Sequence, residues 1–228
     1  MEVREFFNAA YGATERYWWR KQRRYSADPA DHSASLITQV VLRHVRGLPP
    51  GRALDLGSGE GTDAIRMALL GWEVDAVEIS DVGAKKIERF AYEAGARVTV
   101  HHTDALAFDS AGGYDLVVCN GLLHYVAAKE QLIARMQEMT APGGCHAVSS
   151  WSTFTPVPPG HQVVPTFPDD EDGAITRAYR GWDKLLHYYE RNRLEIAHED
   201  MEPHAHSHIK MVALKPARPS RGARRPAA

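Results

Sequence analysis

Short apolar runs alternate with helical patterns along the chain from residue 51 onward. Each run has the length of a buried strand, and the segments between runs repeat apolar residues at helical spacing. Strands that alternate with helices in this way predict a mostly parallel sheet with helices on both faces. The predicted strands are 52–56, 73–79, 96–101, 114–119 and 145–150, and the predicted helices are 62–70, 82–94 and 129–140.

The alternation stops after Trp151. Residues 152–173 contain five prolines, which exclude a regular helix or a central strand there. A short helix over 174–181 follows, and a histidine-rich segment joins two further strands, 185–190 and 209–214. The pattern therefore predicts an α/β fold with a doubly wound, Rossmann-like sheet of seven strands.

Both ends of the chain differ from this central pattern. Apolar residues between 36 and 45 recur at helical spacing before Pro49, so residues 1–50 are predicted to form a helical cap. Residues 216–228 contain four arginines and no apolar periodicity, which predicts a disordered basic tail. The domain itself is assigned to residues 51–215.

Composition narrows the possible partners. The 228 residues are 44% hydrophobic with a mean hydropathy of -0.39 and a formal net charge of -2. A chain without a basic field is not expected to bind nucleic acid or a membrane surface. The N-terminus carries acids where a secretory signal carries bases, so we expect a cytoplasmic protein. We expect it to be a monomer or a homodimer. Cys119 and Cys145 lie in apolar runs and are predicted to be buried free thiols.

The glycine-rich turn at residues 57–61, Gly-Ser-Gly-Glu-Gly, points to a nucleoside-containing ligand. A dinucleotide fingerprint requires glycine at position 62, where this chain has Thr62. Asp55 precedes the turn and Glu78 ends the next strand, where a carboxylate can accept both hydroxyls of a ribose. Because carboxylates repel a pyrophosphate and attract a cationic amino-acid moiety, S-adenosylmethionine fits better than a dinucleotide. The alternatives are a dinucleotide oxidoreductase and acids that only cap local turns.

Further motifs in register make the resemblance specific. The turn, "HTDALAF", "YDLVVCNGLLHYV" and "MTAPGGCHAVSS" together resemble the motifs of class I S-adenosylmethionine-dependent methyltransferases over residues 50–151. The resemblance implies that Asp55 orients the turn, Glu78 binds the ribose, Ile79 packs on the adenine and Asp104 accepts from its amine. The implied cofactor-binding residues are Asp55, Gly57, Ser58, Gly59, Gly61, Glu78, Ile79, Asp104, Ala105, Asn120 and Gly121.

The C-terminal third resembles the tellurite-resistance branch of this family, through "ITRAYRGWDKLLHYYE", "IAHED" and "HIKMVALKP". The resemblance implies a Tyr179–Trp182 pair, an antiparallel last strand, and His198 near the active site. The chain departs from that branch in its aromatic N-terminus, its proline-rich insertion, and Glu78 where the branch often has Asp. We therefore expect an amino-acid-derived or secondary metabolite as acceptor; the alternatives are a metalloid substrate and a cofactor-binding regulator without turnover.

Candidate residues for catalysis and acceptor binding lie outside the glycine turn. His124, at the end of the fourth strand, and His198 are the candidate bases, and packing is the alternative for His124. The N-terminal segment with Trp18 and Trp19 has two interpretations: an aromatic lid over the cofactor, or packing against the sheet. No metal is predicted, although His204, His206 and His208 share one strand face. The candidate acceptor-binding residues are Tyr17, Trp18, Trp19, Tyr25, Trp151, Tyr179 and His206.

Overall fold

A computed structural model gives the fold and describes residues 2–17, 44, 49–157, 173–195 and 202–217. The strands are β1 Arg52–Leu56, β2 Glu73–Glu78, β3 Val98–His102, β4 Tyr114–Asn120, β5 Thr140–Ser152, β6 Asp183–Glu195 and β7 His204–Leu214. The helices in the described residues are α1 Val3–Ala13, α2 Thr62–Leu69, α3 Asp81–Ala94, α4 Lys129–Met139 and α5 Ala174–Ala178, with a 3₁₀ helix at Leu123–Tyr125.

The seven strands form one sheet in the order β3-β2-β1-β4-β5-β7-β6. Strands β1 to β5 pair in parallel, and β7 runs antiparallel to both β5 and β6. The predicted mostly parallel, doubly wound sheet with an antiparallel last strand is therefore confirmed. The order places β7 between two strands that precede it in the chain, so the final hairpin closes one side of the sheet.

The last two strands are longer than their apolar patterns predict. The predicted strand 209–214 begins at His204 in the structure, and the predicted strand 185–190 extends to Glu195. Backbone pairing with the neighbouring strand continues through polar residues, because the ladder hydrogen bonds do not depend on side-chain polarity. Apolar periodicity therefore underestimated these strands, and the predicted helix 174–181 shortens to Ala174–Ala178.

Local signals explain why the helix after β2 begins and ends where it does. Ser80 is the N-cap of α3, and its hydroxyl accepts a hydrogen bond from the Gly83 N–H at 3.0 Å. At the other end Gly95 adopts φ 69°, a left-handed conformation that glycine accommodates without a Cβ clash. The helix is thereby fixed at the carboxyl end of β2, where ligands bind in open α/β sheets.

Apolar side chains pack on both faces of the sheet. Helices α4 and α5 cover one face through Met136 and Ile175, and α2 and α3 cover the other through Met67 and Ile87. Cys119 and Cys145 are buried free thiols, as predicted. Burial raises the pKa of the Cys145 thiol to about 12, so it stays protonated at neutral pH.

The N-terminal helix α1 packs against α3 through a buried aromatic face. Phe7 and Tyr11 are buried and stack with ring centroids 5.4 Å apart. The Asn8 side-chain oxygen accepts a hydrogen bond from the Ser80 hydroxyl at 2.6 Å, at the start of α3. Most of the predicted cap between 18 and 48, and the basic tail from residue 218, lie outside the described residues. In the part of the chain that is described, no helix is long and apolar enough to cross a bilayer.

Candidate functional site

The glycine turn after β1 is held by backbone hydrogen bonds to β2. The N–H groups of Gly57 and Ser58 donate to the carbonyl of Val77, and the Ser58 hydroxyl donates to the carbonyl of Asp55 at 2.8 Å. Gly57, Gly59 and Gly61 have φ values of 70°, 59° and 82°. These left-handed conformations strain any residue with a Cβ, which explains the three alternating glycines.

Asp55 lies buried beneath this turn. Its carboxylate accepts a hydrogen bond from the Ala64 N–H at 3.1 Å, in the first turn of α2. Burial, and then the nearby carboxylate of Asp63, raise the pKa of Asp55 well above its ordinary range. The Asn120 amide donates to Asp63 at 3.3 Å and accepts from the Ser149 hydroxyl at 2.8 Å. Capping and ligand binding are therefore compatible roles for Asp55, because its burial between acids favours a cationic neighbour.

Glu78 ends β2 with only 4% of its surface exposed. One carboxylate oxygen accepts from the Gly59 N–H and the other from the Ser80 N–H, each at 2.8 Å. Burial nevertheless raises the pKa of Glu78 to about 7, against the opposing effect of these hydrogen bonds. Glu78 therefore links the glycine turn to the start of α3 and presents a carboxylate at the sheet edge.

The predicted adenine-side residues follow the carboxyl ends of two neighbouring strands, Ile79 after β2 and the pair Asp104 and Ala105 after β3. Ile79 is half-buried, and its carbonyl lies 3.2 Å from the Nε2 atom of His102. Asp104 is exposed, and its carboxylate accepts from the Leu106 N–H at 2.7 Å, as a turn-capping aspartate does. Ala105 is buried in the core. The structure brings these residues to the same sheet edge as Glu78.

A buried ion pair, missed by the sequence analysis, fastens the N-terminal segment to the glycine turn. Glu60 is 2% exposed, and its carboxylate accepts from the Lys86 ammonium at 2.7 Å. The same carboxylate accepts from the Tyr17 N–H at 3.0 and 2.9 Å, and Lys86 also donates to the Thr14 carbonyl at 2.7 Å. We call this arrangement of Glu60, Lys86, Thr14 and Tyr17 the N-terminal latch.

Tyr11 lies next to the same turn. An added Cβ on Gly83 would come within 2.9 Å of the Gly59 carbonyl, 3.0 Å of the Glu78 side chain and 3.1 Å of the Tyr11 ring. The ring of Tyr17 contacts that of Tyr11 edge to face, with centroids 5.6 Å apart. Tyr17, a predicted acceptor-binding residue, therefore lies where the N-terminal segment meets the glycine turn. The position of Glu60 within the glycine motif was the only sequence signal for the latch.

Three rings stack at the carboxyl end of β4 and β5. His124 lies parallel to Trp151 with centroids 4.3 Å apart, and Trp151 lies parallel to His206 with centroids 4.2 Å apart. His206 also contacts His204, with 3.1 Å between their Nε2 atoms. We call His124, Trp151, His206 and His204 the histidine face. The structure thus brings together three of the predicted catalytic or acceptor-binding residues.

The tautomer of His124 follows from its hydrogen bonds. Its Nδ1 atom accepts from the Trp151 backbone N–H at 3.2 Å and lies 3.2 Å from the Ser150 hydroxyl. Because a backbone N–H only donates, Nδ1 carries a lone pair and a neutral ring carries its proton on Nε2. Next to this ring, Tyr125 and Phe7 of α1 meet edge to face, with centroids 5.2 Å apart.

Tyr179, a predicted acceptor-binding residue, lies in the core instead. It is fully buried, and its hydroxyl lies 2.8 Å from His146 Nδ1. His146 Nε2 in turn lies 2.6 Å from the Thr140 hydroxyl, which donates to the Met136 carbonyl. Burial lowers the pKa of His146 to about 3, so the imidazole is neutral and the Tyr179 hydroxyl donates to it. This series of hydrogen bonds attaches the end of α5 to β5, which favours a packing role for Tyr179.

Four other predicted residues have no assigned place in the site. Trp18, Trp19, Tyr25 and His198 lie outside the described residues. Among the described residues, no group of three or more His, Cys, Asp or Glu side chains is arranged to hold a metal ion.

The residues that are described fit S-adenosylmethionine in charge and in space. Asp55, Asp63 and Glu78 form a buried acidic group around the glycine turn, which suits a ligand that carries an ammonium and a sulfonium. Gly121, at the end of β4, has φ 78°, and an added Cβ would meet no atom of the described residues within 4 Å. Space for a ligand therefore lies at the carboxyl end of β4, beside these acids.

Comparisons with known proteins agree with this geometry. A family model described as a methyltransferase domain matches residues 53–144. A ubiquinone biosynthesis O-methyltransferase from Aromatoleum aromaticum is 31% identical over 100 residues, 43% of this chain and 43% of that protein. The chain spans about half the length of the curated relatives it matches.

Solved structures resemble the chain over most of its length. TehB from Haemophilus influenzae superposes with a TM-score of 0.68 at 18% identity, covering 87% of this chain and 66% of that one. The N-methyltransferase NodS from Bradyrhizobium japonicum WM9, in complex with S-adenosyl-L-homocysteine, superposes with a TM-score of 0.67 at 14% identity, covering 95% and 100%. Residues 53–144 therefore match a methyltransferase domain, and the fold of the chain resembles that of TehB.

Proposed function

We propose that this protein transfers a methyl group from S-adenosylmethionine to a small organic acceptor. The observation that carries the proposal is the buried carboxylate of Glu78, held against the glycine turn at the carboxyl edge of the sheet. S-adenosylmethionine supplies a methyl group on a sulfonium, which a lone pair of the acceptor can displace. The protein's part is to hold both molecules in line and to exclude water.

The two buried acids divide the work of binding the cofactor. Glu78 would accept hydrogen bonds from the ribose hydroxyls, for which its ionised form is the better acceptor. Asp55 attracts the cationic amino-acid end, and the backbone of Gly57, Gly59 and Gly61 lies close to it because no Cβ intervenes. The loop with Asp104 and Ala105, together with Ile79, forms the adenine side. Asn120 and Gly121, at the carboxyl end of β4, would hold the part of the ligand that carries the sulfonium.

His124 is proposed to orient the acceptor by donating a hydrogen bond. Its Nδ1 lone pair is engaged by the Trp151 N–H, so the ring presents the Nε2–H group. Protonation would place a second N–H against the N–H of Trp151, which disfavours the imidazolium that a general base must form. The geometry therefore supports a donor at His124 over the base predicted from the sequence.

The chemistry of the histidine face favours an organic acceptor with a planar ring. Trp151 and Tyr125 are half-buried rings that pack around the buried His124, in and next to the 3₁₀ helix that follows Gly121, and aromatic rings favour offset-stacked or edge-to-face contacts. The relative from Aromatoleum aromaticum is named a ubiquinone biosynthesis O-methyltransferase, and a quinone contains a planar ring. A metalloid acceptor is the second candidate, favoured only by the fold similarity to TehB.

Calorimetric titration with S-adenosylmethionine, S-adenosylhomocysteine and NAD tests the cofactor. Binding of the first two ligands but not of NAD supports the proposal, and tight binding of NAD alone contradicts it.

The acceptor is tested next, by measuring the release of S-adenosylhomocysteine with phenols, amines, amino acids and tellurite as candidate acceptors. Turnover with a ring-bearing phenol or amine supports the proposed acceptor, and turnover with tellurite alone replaces it. Cofactor binding without turnover across the panel favours the regulator.

A further inference from the structure

The hydrogen bonds of His204 and His206 define where their protons lie. His204 Nδ1 lies 2.9 Å from the Glu202 carbonyl, which only accepts, so this nitrogen carries a proton. In a neutral His204 the Nε2 atom is therefore an acceptor. It lies 3.1 Å from His206 Nε2, so the His206 Nε2–H group donates to it. The lone pair of the neutral His206 ring is consequently on Nδ1.

The surroundings of His206 suit a ring that gains and loses a proton. The side chain is 2% exposed and lies flat on the indole of Trp151, with 12° between the ring planes. An imidazolium over an indole face is stabilised by the cation–π interaction. His204 accepts from the opposite nitrogen and therefore disperses the charge that His206 acquires, as the orienting member of a catalytic pair does.

The charged groups that face this pair come from three elements. On β6, Arg193 is in register with His206, and Glu190 is in register with His208. The Lys210 ammonium donates to Glu190 at 2.6 Å, so this carboxylate is already paired. His208 continues the row on β7, and His124 lies beyond Trp151 with its Nδ1 held by a backbone N–H. The described charges that face the pair are therefore the Arg193 guanidinium and a Glu190 carboxylate that Lys210 already pairs.

His206 lies at the same edge of the sheet as the proposed methyl donor. Ser207 of β7 pairs with Ser152 at the end of β5, and His206 is the next residue outward. Two strands away, Gly121 follows β4 and donates its N–H to the Ser149 carbonyl of β5. An acceptor that extends from Gly121 along Trp151 therefore meets the histidine face.

We propose that His206 Nδ1 takes the proton that the acceptor loses during methyl transfer, with His204 as its positioning residue. This inference rests on the proposed function. The acceptor's lone pair forms the bond to the methyl carbon while the carbon–sulfur bond breaks and leaves its electron pair on sulfur. The proton of the acceptor O–H or N–H passes to Nδ1, and the imidazolium later releases it to water.

The first experiment determines tautomers and needs no acceptor. Long-range ¹H–¹⁵N spectra of the full chain with ¹⁵N-labelled histidine, saturated with S-adenosylhomocysteine, are assigned by comparison with His204→Gln and His206→Gln. We expect protonated Nδ1 on His204 and protonated Nε2 on His206 near pH 7.5. A proton on His206 Nδ1 in its neutral ring overturns the proposal. Zinc that survives dialysis in the wild type but not in His204→Leu identifies a metal chelate and also overturns it.

The second experiment measures turnover with the best acceptor of the screen. His206→Gln is expected to lower kcat by about 100-fold or more, with unchanged affinity for S-adenosylhomocysteine. The rate of this variant should rise steadily at high pH, where the acceptor ionises without a base. His204→Leu should lower kcat less and move the rising limb of the pH profile, while His204→Gln, whose amide oxygen can accept, restores it.

His187→Gln is the matched control, because His187 is an exposed histidine on β6. Wild-type kcat in His206→Gln, with cofactor binding intact, overturns the proposal while leaving the methyltransferase function standing. If the wild-type protein does not bind S-adenosylmethionine, the proposed function itself is contradicted. Failure of the base proposal and failure of the proposed function are therefore distinguishable.

Discussion

The glycine turn and the histidine face are assembled in opposite ways. Asp55, the glycines and Glu78 are within 24 residues of sequence, and backbone N–H groups provide most of their hydrogen bonds. The histidine face combines His124, Trp151 and His206, which are far apart in sequence and meet through stacked rings. The turn therefore depends on local conformation, whereas the face depends on the pairing of β5 with β7. Substitutions in the glycine turn should therefore change cofactor affinity, whereas substitutions in the histidine face should change turnover.

The largest expected effect is on the N-terminal latch. Lys86→Met leaves the Glu60 carboxylate buried without its cation, which should lower the free energy of unfolding by about 3–5 kcal/mol. Detachment of residues 14–17 limits this loss and should appear as faster proteolysis of the N-terminal segment. Lys85→Met, an exposed neighbour, is the control and should change stability by no more than about 0.5 kcal/mol. Equal melting temperatures for the two variants would contradict a structural role for the latch.

Glu78→Ala is expected to weaken S-adenosylmethionine binding by about 1.5–3 kcal/mol, as hydrogen bonds to a charged group are lost. Isothermal titration measures the dissociation constant, with Glu73→Ala on the exposed start of the same strand as the control. Unaltered affinity in Glu78→Ala would remove Glu78 from the cofactor site. Because the glycine turn and the histidine face are assembled separately, Glu78→Ala should leave the stacking of Trp151 on His124 and His206 intact.

The raised pKa of Glu78 gives the turn a pH dependence. Between its unfolded value near 4.5 and its folded value near 7, the folded protein binds more protons, so stability falls as pH rises through this window. The ribose hydroxyls prefer the ionised carboxylate, so cofactor affinity should rise about tenfold from pH 6 to pH 8. Titration in buffers of different ionisation enthalpy should detect proton release on binding. A flat affinity profile would contradict an ionisable Glu78 at the ribose.

The smallest expected effect is on the histidine face. Trp151→Leu removes the indole between His124 and His206 and should lower the free energy of unfolding by about 0.5–1.5 kcal/mol through lost ring contacts. Cofactor affinity should remain that of the wild type, while kcat falls because the imidazoles lose their common surface. Chemical denaturation and calorimetry on the same sample measure both quantities. A fall in cofactor affinity without a fall in kcat would reverse the proposed roles of the two regions.

How far the sequence predicted the site follows from this difference in assembly. The glycine spacing, Asp55 and Glu78 were recognisable because each follows a short apolar run at a fixed separation. The Glu60–Lys86 pair was missed because its partners are 26 residues apart and look like ordinary surface charges. His206 was placed only as an acceptor contact, since its alternation with His204 does not reveal which strand lies beside it. The burial of Tyr179 also depends on His146, which no local pattern connects to it.

The position of β7 has a consequence for biosynthesis. This strand is made after β6 but lies between β5 and β6, so until it has been translated β6 has no partner strand and β5 is paired only with β4. During that interval the edge of β5 presents unpaired backbone groups and apolar residues such as Val148, a state that favours aggregation. The nascent chain thus depends on its last strand to protect the sheet, and it completes the histidine face in the same event.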